Sequence, residues 1–233
     1  MLKARLGGTN ELITVDSLLK RHGSQFKDKG IEIFCPLCHK PVFIYGAHSL
    51  SVTSRFHHPE GSAQCAFSHA KDGKYHWLRP REIDLASGIQ LKNHVFEDGN
   101  LRQIYAFCHY LCRKQTFSTA MFCKLIKLAD QKNIWVYKGL PFWGVGFILM
   151  TLDDFEGKRS KDGLPYTYRF VFEKEKPKTI EDLWERKGKY HLSKVFGDSG
   201  NLIQFPPENP FLVSKETFEA LSQNHEWIQE SHL

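Results

Sequence analysis

Two thiols separated by two residues, Cys35-Pro36-Leu37-Cys38, are the most chemically pointed feature of this chain of 233 residues. Arg55-Phe56-His57-His58 follows, and then Cys65. Thiolates and imidazoles in this arrangement suit a tetrahedral zinc ion, because the tight C-x2-C turn aims both sulfurs the same way. Pro36 helps to set that turn. The predicted ligands are Cys35, Cys38, His58 and Cys65, with His57 as the main substitute for His58 and His69 as an outside candidate. Four protein ligands leave no open position, so the Zn2+ is expected to be a structural cofactor rather than a catalyst. Its loss should unfold the first 75 residues, since ligand deprotonation and folding are coupled. Six cysteines without an export signal argue against a disulfide framework. A redox dithiol would sit at a helix N-terminus, whereas this pair lies between β-prone runs.

Other constellations are weaker. Cys108, His109 and Cys112, with Cys123, have the spacing of a second metal site, but Cys108 and Cys112 fall on an apolar helical stripe, which favours core packing. Tyr166, Tyr168, Phe170 and Phe172 alternate along one strand. Such a row can stack bases or fill a core, and core is favoured. A metal-dependent nuclease would draw on Asp153, Asp154 and Glu173. The lysine expected two residues after Glu173 is missing, and a hairpin of 145–152 with 166–172 would hold the carboxylates roughly 20 Å apart. No Gly-rich phosphate loop, Ser-His-Asp set or His-Glu-x-x-His helix is present.

Charge adds a direction. Lys+Arg number 32 against 26 Asp+Glu, a net +6. Between Gly157 and Lys194 eleven basic residues face six acids, while the tail from Pro210 sets Lys215 against four glutamates. A basic region of this kind suits phosphates, with Lys158, Arg159, Lys161, Lys187 and Lys189 as the predicted nucleic-acid contacts.

The segments Phe34-Cys-Pro-Leu-Cys38, Pro41-Val-Phe-Ile44, Arg55-Phe-His57-His58 and Cys65 resemble the N-terminal zinc-finger segment of bacterial competence proteins of the CoiA type. That segment carries a C-P-x-C knuckle, a V-x-hydrophobic strand, an H-F-x-H element and a closing Cys. Phe56 and His58 match the Phe and second His of the element, and Arg55 replaces the first His. The resemblance spans about residues 1–70 and implies a DNA-processing context, hence DNA over RNA. The nuclease-like domain that follows in those proteins has no matching residues here.

The elements that must position these groups read as α+β. An N-terminal zinc-ribbon domain (1–75) precedes an α+β domain (76–233) with a helical middle and a C-terminal antiparallel sheet with helices. Asp16 is expected to cap a helix over 17–22 that Gly23 ends. Strands 31–34 and 42–45 should form a hairpin around the C-x2-C turn. The spacing predicts helices over 101–112 and 119–129, strands over 134–137, 145–152 and 166–173, a polar loop over 153–165, a helix over 179–187 capped by Thr179, and an acidic helix over 215–228 after an extended Pro206-Pro207-Pro210 linker. Hydrophobic residues make up 41% of the chain and aromatics 13%, which excludes wholesale disorder. The most apolar stretch, 142–152, is far short of the roughly 20 residues of a membrane-spanning helix. Met1-Leu2-Lys3-Ala4-Arg5 runs into Gly-Gly without an apolar leader core, so a cytoplasmic location is expected. The composite expectation is a zinc-ribbon nucleic-acid-binding protein without catalytic activity. The alternatives are a metal-dependent nuclease with diverged motifs, or an adaptor in DNA processing or phage defence that meets an acidic protein partner.

Overall fold

The computed structural model describes residues 1–9, 11–47, 53–59, 65, 80–97, 99–112, 117–157, 165–172, 179–185, 190–204 and 208–223. The chain divides into two compact units, Met1–Ile83 and Asp84–Leu233, against the 75/76 division read from the sequence.

In the first unit, strand β1 (Lys3–Leu6) lies between β2 (Leu12–Thr14) and β3 (Ile33–Phe34), antiparallel to both. Helix α1 (Val15–His22) leaves β2 without a loop. Its cap is Thr14, whose hydroxyl accepts the Ser17 N–H, and not Asp16. The helix starts early because Val15 and Leu18 bury against the sheet, which leaves Asp16 in the first turn, where a carboxylate suits the helix dipole. Gly23 ends it at φ 80°, a left-handed backbone that favours glycine. The predicted hairpin of 31–34 with 42–45 is reduced to one bridge, Phe34 to Pro41, beside a Val42 N–H to Ile33 carbonyl bond. Strand β4 (Phe43–Tyr45) pairs instead with β5 (Arg55–His57). Ala4, Ile13, Val15, Leu18, Phe26, Ile33, Cys35, Val42 and Phe56 form the core.

The second unit opens with α2 (Leu85–Val95), capped by Asp84, which accepts the Ser87 N–H. Helices α3 (Asn100–Cys112) and α4 (Thr119–Lys132) follow the predicted stripes. Residues predicted as strand over 134–137 form a single 3-10 turn, Ile134–Val136, after Asn133 closes α4 in the left-handed conformation. The predicted strand over 145–152 is also overturned: Phe142–Leu149 is helix α5. Its residues from Gly144 to Leu149 are all buried, and an apolar run buried on every side has no periodicity to separate helix from strand. Gly146 permits the packing, since a Cβ there would lie 2.7 Å from the Phe107 ring.

The sheet has the order β6 (Phe155–Gly157), β7 (Tyr166–Phe172), β8 (His191–Phe196), β9 (Phe211–Leu212), antiparallel throughout. Of the helix predicted over 179–187, the turn α6 (Asp182–Glu185) is described. Asp182 accepts the Thr179 N–H at 3.3 Å, the reciprocal half of a capping box. Helix α7 (Lys215–Ser222) begins at Ser214; the remainder of the predicted 215–228 beyond Gln223 lies outside the described residues, as do Pro206 and Pro207. The architecture is α+β, with seven α-helices and exclusively antiparallel strand pairs among the described residues. No helix among them is long and apolar enough to cross a membrane.

Gly88 supplies a test of this packing. A Cβ there would sit 2.8 Å from the Val136 Cα, a backbone atom that cannot turn aside. Helix propensity alone would make Gly88→Ala stabilising by about 1 kcal/mol. The overpacking should win, and urea unfolding should show a net loss of about 1–3 kcal/mol.

Candidate metal centre

Four side chains converge in the first unit. Cys35 follows β3 directly, and the chain reverses there through Cys35 N–H to Lys40 carbonyl (2.8 Å) and His39 N–H to Cys35 carbonyl (3.0 Å). His39 takes a positive φ of 57° in this turn. The Leu37 N–H points at the Cys35 sulfur at 3.4 Å, a donor that favours a thiolate there. Across the unit, β5 alternates its side chains, so Phe56 enters the core and His58, two residues on, follows it inward.

The Cys35 and Cys65 sulfurs are 3.7 Å apart, and the Cys38 sulfur lies 3.8 Å from His58 Nε2. All four ligand atoms fall within 4.8 Å of one another, so the group can hold a metal ion. Cys35 and His58 are buried, Cys38 and Cys65 half-buried, and none of the six cysteines is in a disulfide. The Cys65 thiol hydrogen-bonded to Cys35 pulls Cys35 down to about 4, against the opposing effect of burial. Burial pushes the Cys38 thiol above its ordinary value. One sulfur is thus ready to act as an anion while a neighbour retains its proton. His58 turns Nε2 to the sulfurs, and its buried Nδ1 has no hydrogen-bond partner among the described residues.

The predicted tetrad Cys35, Cys38, His58 and Cys65 is therefore brought together. The substitute His57 points the other way: its ring lies 5.1 Å from that of Tyr45 and 6.1 Å from that of Phe43. His69 lies outside the described residues, as do Lys158, Arg159, Lys161, Lys187 and Lys189. In the second unit Cys108 and Cys112 are buried in α3. Burial drives both thiols upward, Cys112 to about 12, which is the behaviour of neutral core groups. Cys123 is exposed on α4. Tyr168, Phe170 and Phe172 are buried, with Tyr168 stacked on Phe155 at 5.4 Å, so this row fills the core and is closed to bases.

The nuclease geometry is corrected in its premise. Phe155 pairs with Tyr168, so Asp153 and Asp154 precede β6 at the Phe172 end of β7, not at the loop end of a 145–152/166–172 hairpin. Asp153 is ion-paired with Lys124, and Glu173 lies outside the described residues.

Sequence reading passed over the other face of the β4–β5 hairpin. Phe43 stands opposite His57 and Tyr45 opposite Arg55, so the four share one face. Arg55 and Tyr45 are exposed, and Phe43 and His57 partly so. The signal was the F-x-Y and R-x-H alternation, which means nothing until the two strands are known to pair.

No family model, curated protein or solved structure matches this chain.

Two measurements probe the centre. A metal must expel the Cys38 proton, so uptake by metal-free protein should release protons and its affinity should rise at least about tenfold per pH unit between about pH 6 and 8. A thiol reagent should modify Cys123 rapidly in metal-loaded protein. Cys35, Cys38 and Cys65 should react only after chelation, and Cys108 and Cys112 only after denaturation.

Proposed function

We propose that the four-residue group holds one structural Zn2+, and that the protein is a non-catalytic DNA-binding protein whose first unit depends on that ion. The observation that carries the metal assignment is the spacing of the ligand atoms. Zinc bonded to sulfur at about 2.3 Å and to nitrogen at about 2.0 Å in a tetrahedron gives edges of about 3.8 Å between sulfurs and about 3.5 Å between sulfur and nitrogen. The 3.7 Å and 3.8 Å separations lie close to these edges. Three sulfurs and one imidazole match zinc's preference for soft and borderline donors, and a filled tetrahedron leaves no position for a substrate. The ion would neutralise the thiolates and tie the turn after β3 to the segments that carry His58 and Cys65.

Charge supports an anionic partner, since the net +6 includes the basic run from Gly157 to Lys194. Lys158, Arg159, Lys161, Lys187 and Lys189 supply phosphate contacts in this reading, and the resemblance to the competence-protein segment favours DNA over RNA.

Elemental analysis should find one zinc per chain, and chelation or Cys38→Ser should abolish the cooperative unfolding of the first unit. Affinity for labelled DNA should drop about 10²- to 10³-fold between 50 and 200 mM salt if some five phosphates are contacted. Binding that is absent or indifferent to salt overturns the DNA assignment. Cleavage of DNA with Mg2+ or Mn2+ that disappears in Asp154→Ala would replace it with a nuclease.

A further inference from the structure

We infer that the outer face of the β4–β5 hairpin is a stacking platform for the unpaired bases of single-stranded DNA. This inference rests on the DNA-binding reading above and gives it a location. Phe43, His57, Tyr45 and Arg55 lie on one side of the two paired strands. The His57 ring is 6.1 Å from Phe43 and 5.1 Å from Tyr45, and the Arg55 guanidinium is 5.4 Å from the Tyr45 ring centre. Three rings and a guanidinium thus form a continuous strip, while Tyr45 keeps 47% of its surface open to solvent.

The strip is exposed because the opposite face is already committed. Ile44 packs on the core, Phe56 is fully buried, and His58 belongs to the metal centre. Strand alternation then has to turn Phe43, Tyr45, Arg55 and His57 outward. Sheet-borne aromatics of this kind stack two or three bases, and any base will serve because each has a π-face. A guanidinium beside the rings can stack in turn or pair with a phosphate.

Charge selects the nucleic acid among possible occupants. The unit Met1–Ile83 carries twelve Lys and Arg against seven Asp and Glu, a net +5 out of the chain's +6. Exposure also separates this platform from Tyr168, Phe170 and Phe172, which have the same alternation but are buried. The metal ties the platform to the rest of the unit through His58, the residue after His57, so the two adjacent histidines divide between the ion and the bases.

The experiment compares the full chain and its variants on a labelled deoxyoligonucleotide, the ribo-oligonucleotide of matched sequence and the corresponding duplex. Tyr45→Leu should lose about 5- to 150-fold in single-strand affinity with zinc content and salt slope unchanged. Tyr45→Phe should keep the affinity, and the emission of the Tyr45→Trp variant should be quenched by the deoxyoligonucleotide. Replacing Lys158, Arg159 and Lys161 by Gln should instead flatten the salt slope, which separates phosphate contacts from stacking. If DNA still binds but Tyr45→Leu and Phe43→Leu match the parent, the platform is wrong and the DNA-binding reading survives. Preference for the duplex or for the ribo-oligonucleotide also overturns the assignment. If no nucleic acid binds, or if polyglutamate but not DNA quenches the Tyr45→Trp emission, both readings fall.

Discussion

Three sulfurs and an imidazole nitrogen held within 4.8 Å of each other are an electrostatic problem before they are a structure. Two thiolates this close in a partly buried site repel each other, so without a cation the group must keep protons on some of its sulfurs. The opposed behaviour of Cys35, pulled down by its hydrogen bond with Cys65, and Cys38, pushed up by burial, is that compromise. A divalent ion would remove the conflict and would join the turn after β3 to the segments that carry His58 and Cys65. The short strands of the first unit, two to four residues each, offer little ladder of their own. With a metal bound, the cluster would therefore hold that unit together rather than decorate it.

The second unit solves the same problem with apolar volume. Helix α5 is buried along most of its length, and its two glycines replace side chains with close approach. Phe107 packs against Phe147 and Phe218 at 4.7 Å and 5.1 Å, which ties α3, α5 and α7 together through aromatic contacts. Cys108 and Cys112 take part as small neutral hydrophobes, their thiol protons held by burial. One chain therefore uses cysteine in two ways: Cys35 is as buried as Cys108, but its hydrogen bonds with Cys65 and with the Leu37 N–H outweigh burial, whereas burial prevails at Cys108.

The two aromatic strands make the same contrast. Tyr168 and Phe170 alternate on β7 and lie at zero exposure, with sheet partners on both sides and Phe155 stacked against Tyr168. Phe43 and Tyr45 alternate on β4, a strand of a two-stranded ribbon whose inward positions are taken by Ile44 and, across on β5, Phe56. Alternation says that a strand has two faces. Which of them meets water depends on what lies above and below.

Residue type and local spacing were enough to find the Cys35, Cys38, His58 and Cys65 group, the helices α3 and α4, strand β7 and the α+β class, because each rests on chemistry or periodicity within a short window. Thr14 displaced Asp16 as a cap only because burial of Val15 and Leu18 drew the helix start forward. Setting aside His57, which the sequence kept as a substitute for His58, needed the register of β4 against β5, which sets inward and outward sides. Helix α5 needed its surroundings: once every side of an apolar run is covered, the pattern that would name its conformation has been erased. The exposed ring strip belongs to the same class, since it is made by pairing residues ten or more apart, and no short window contains both strands.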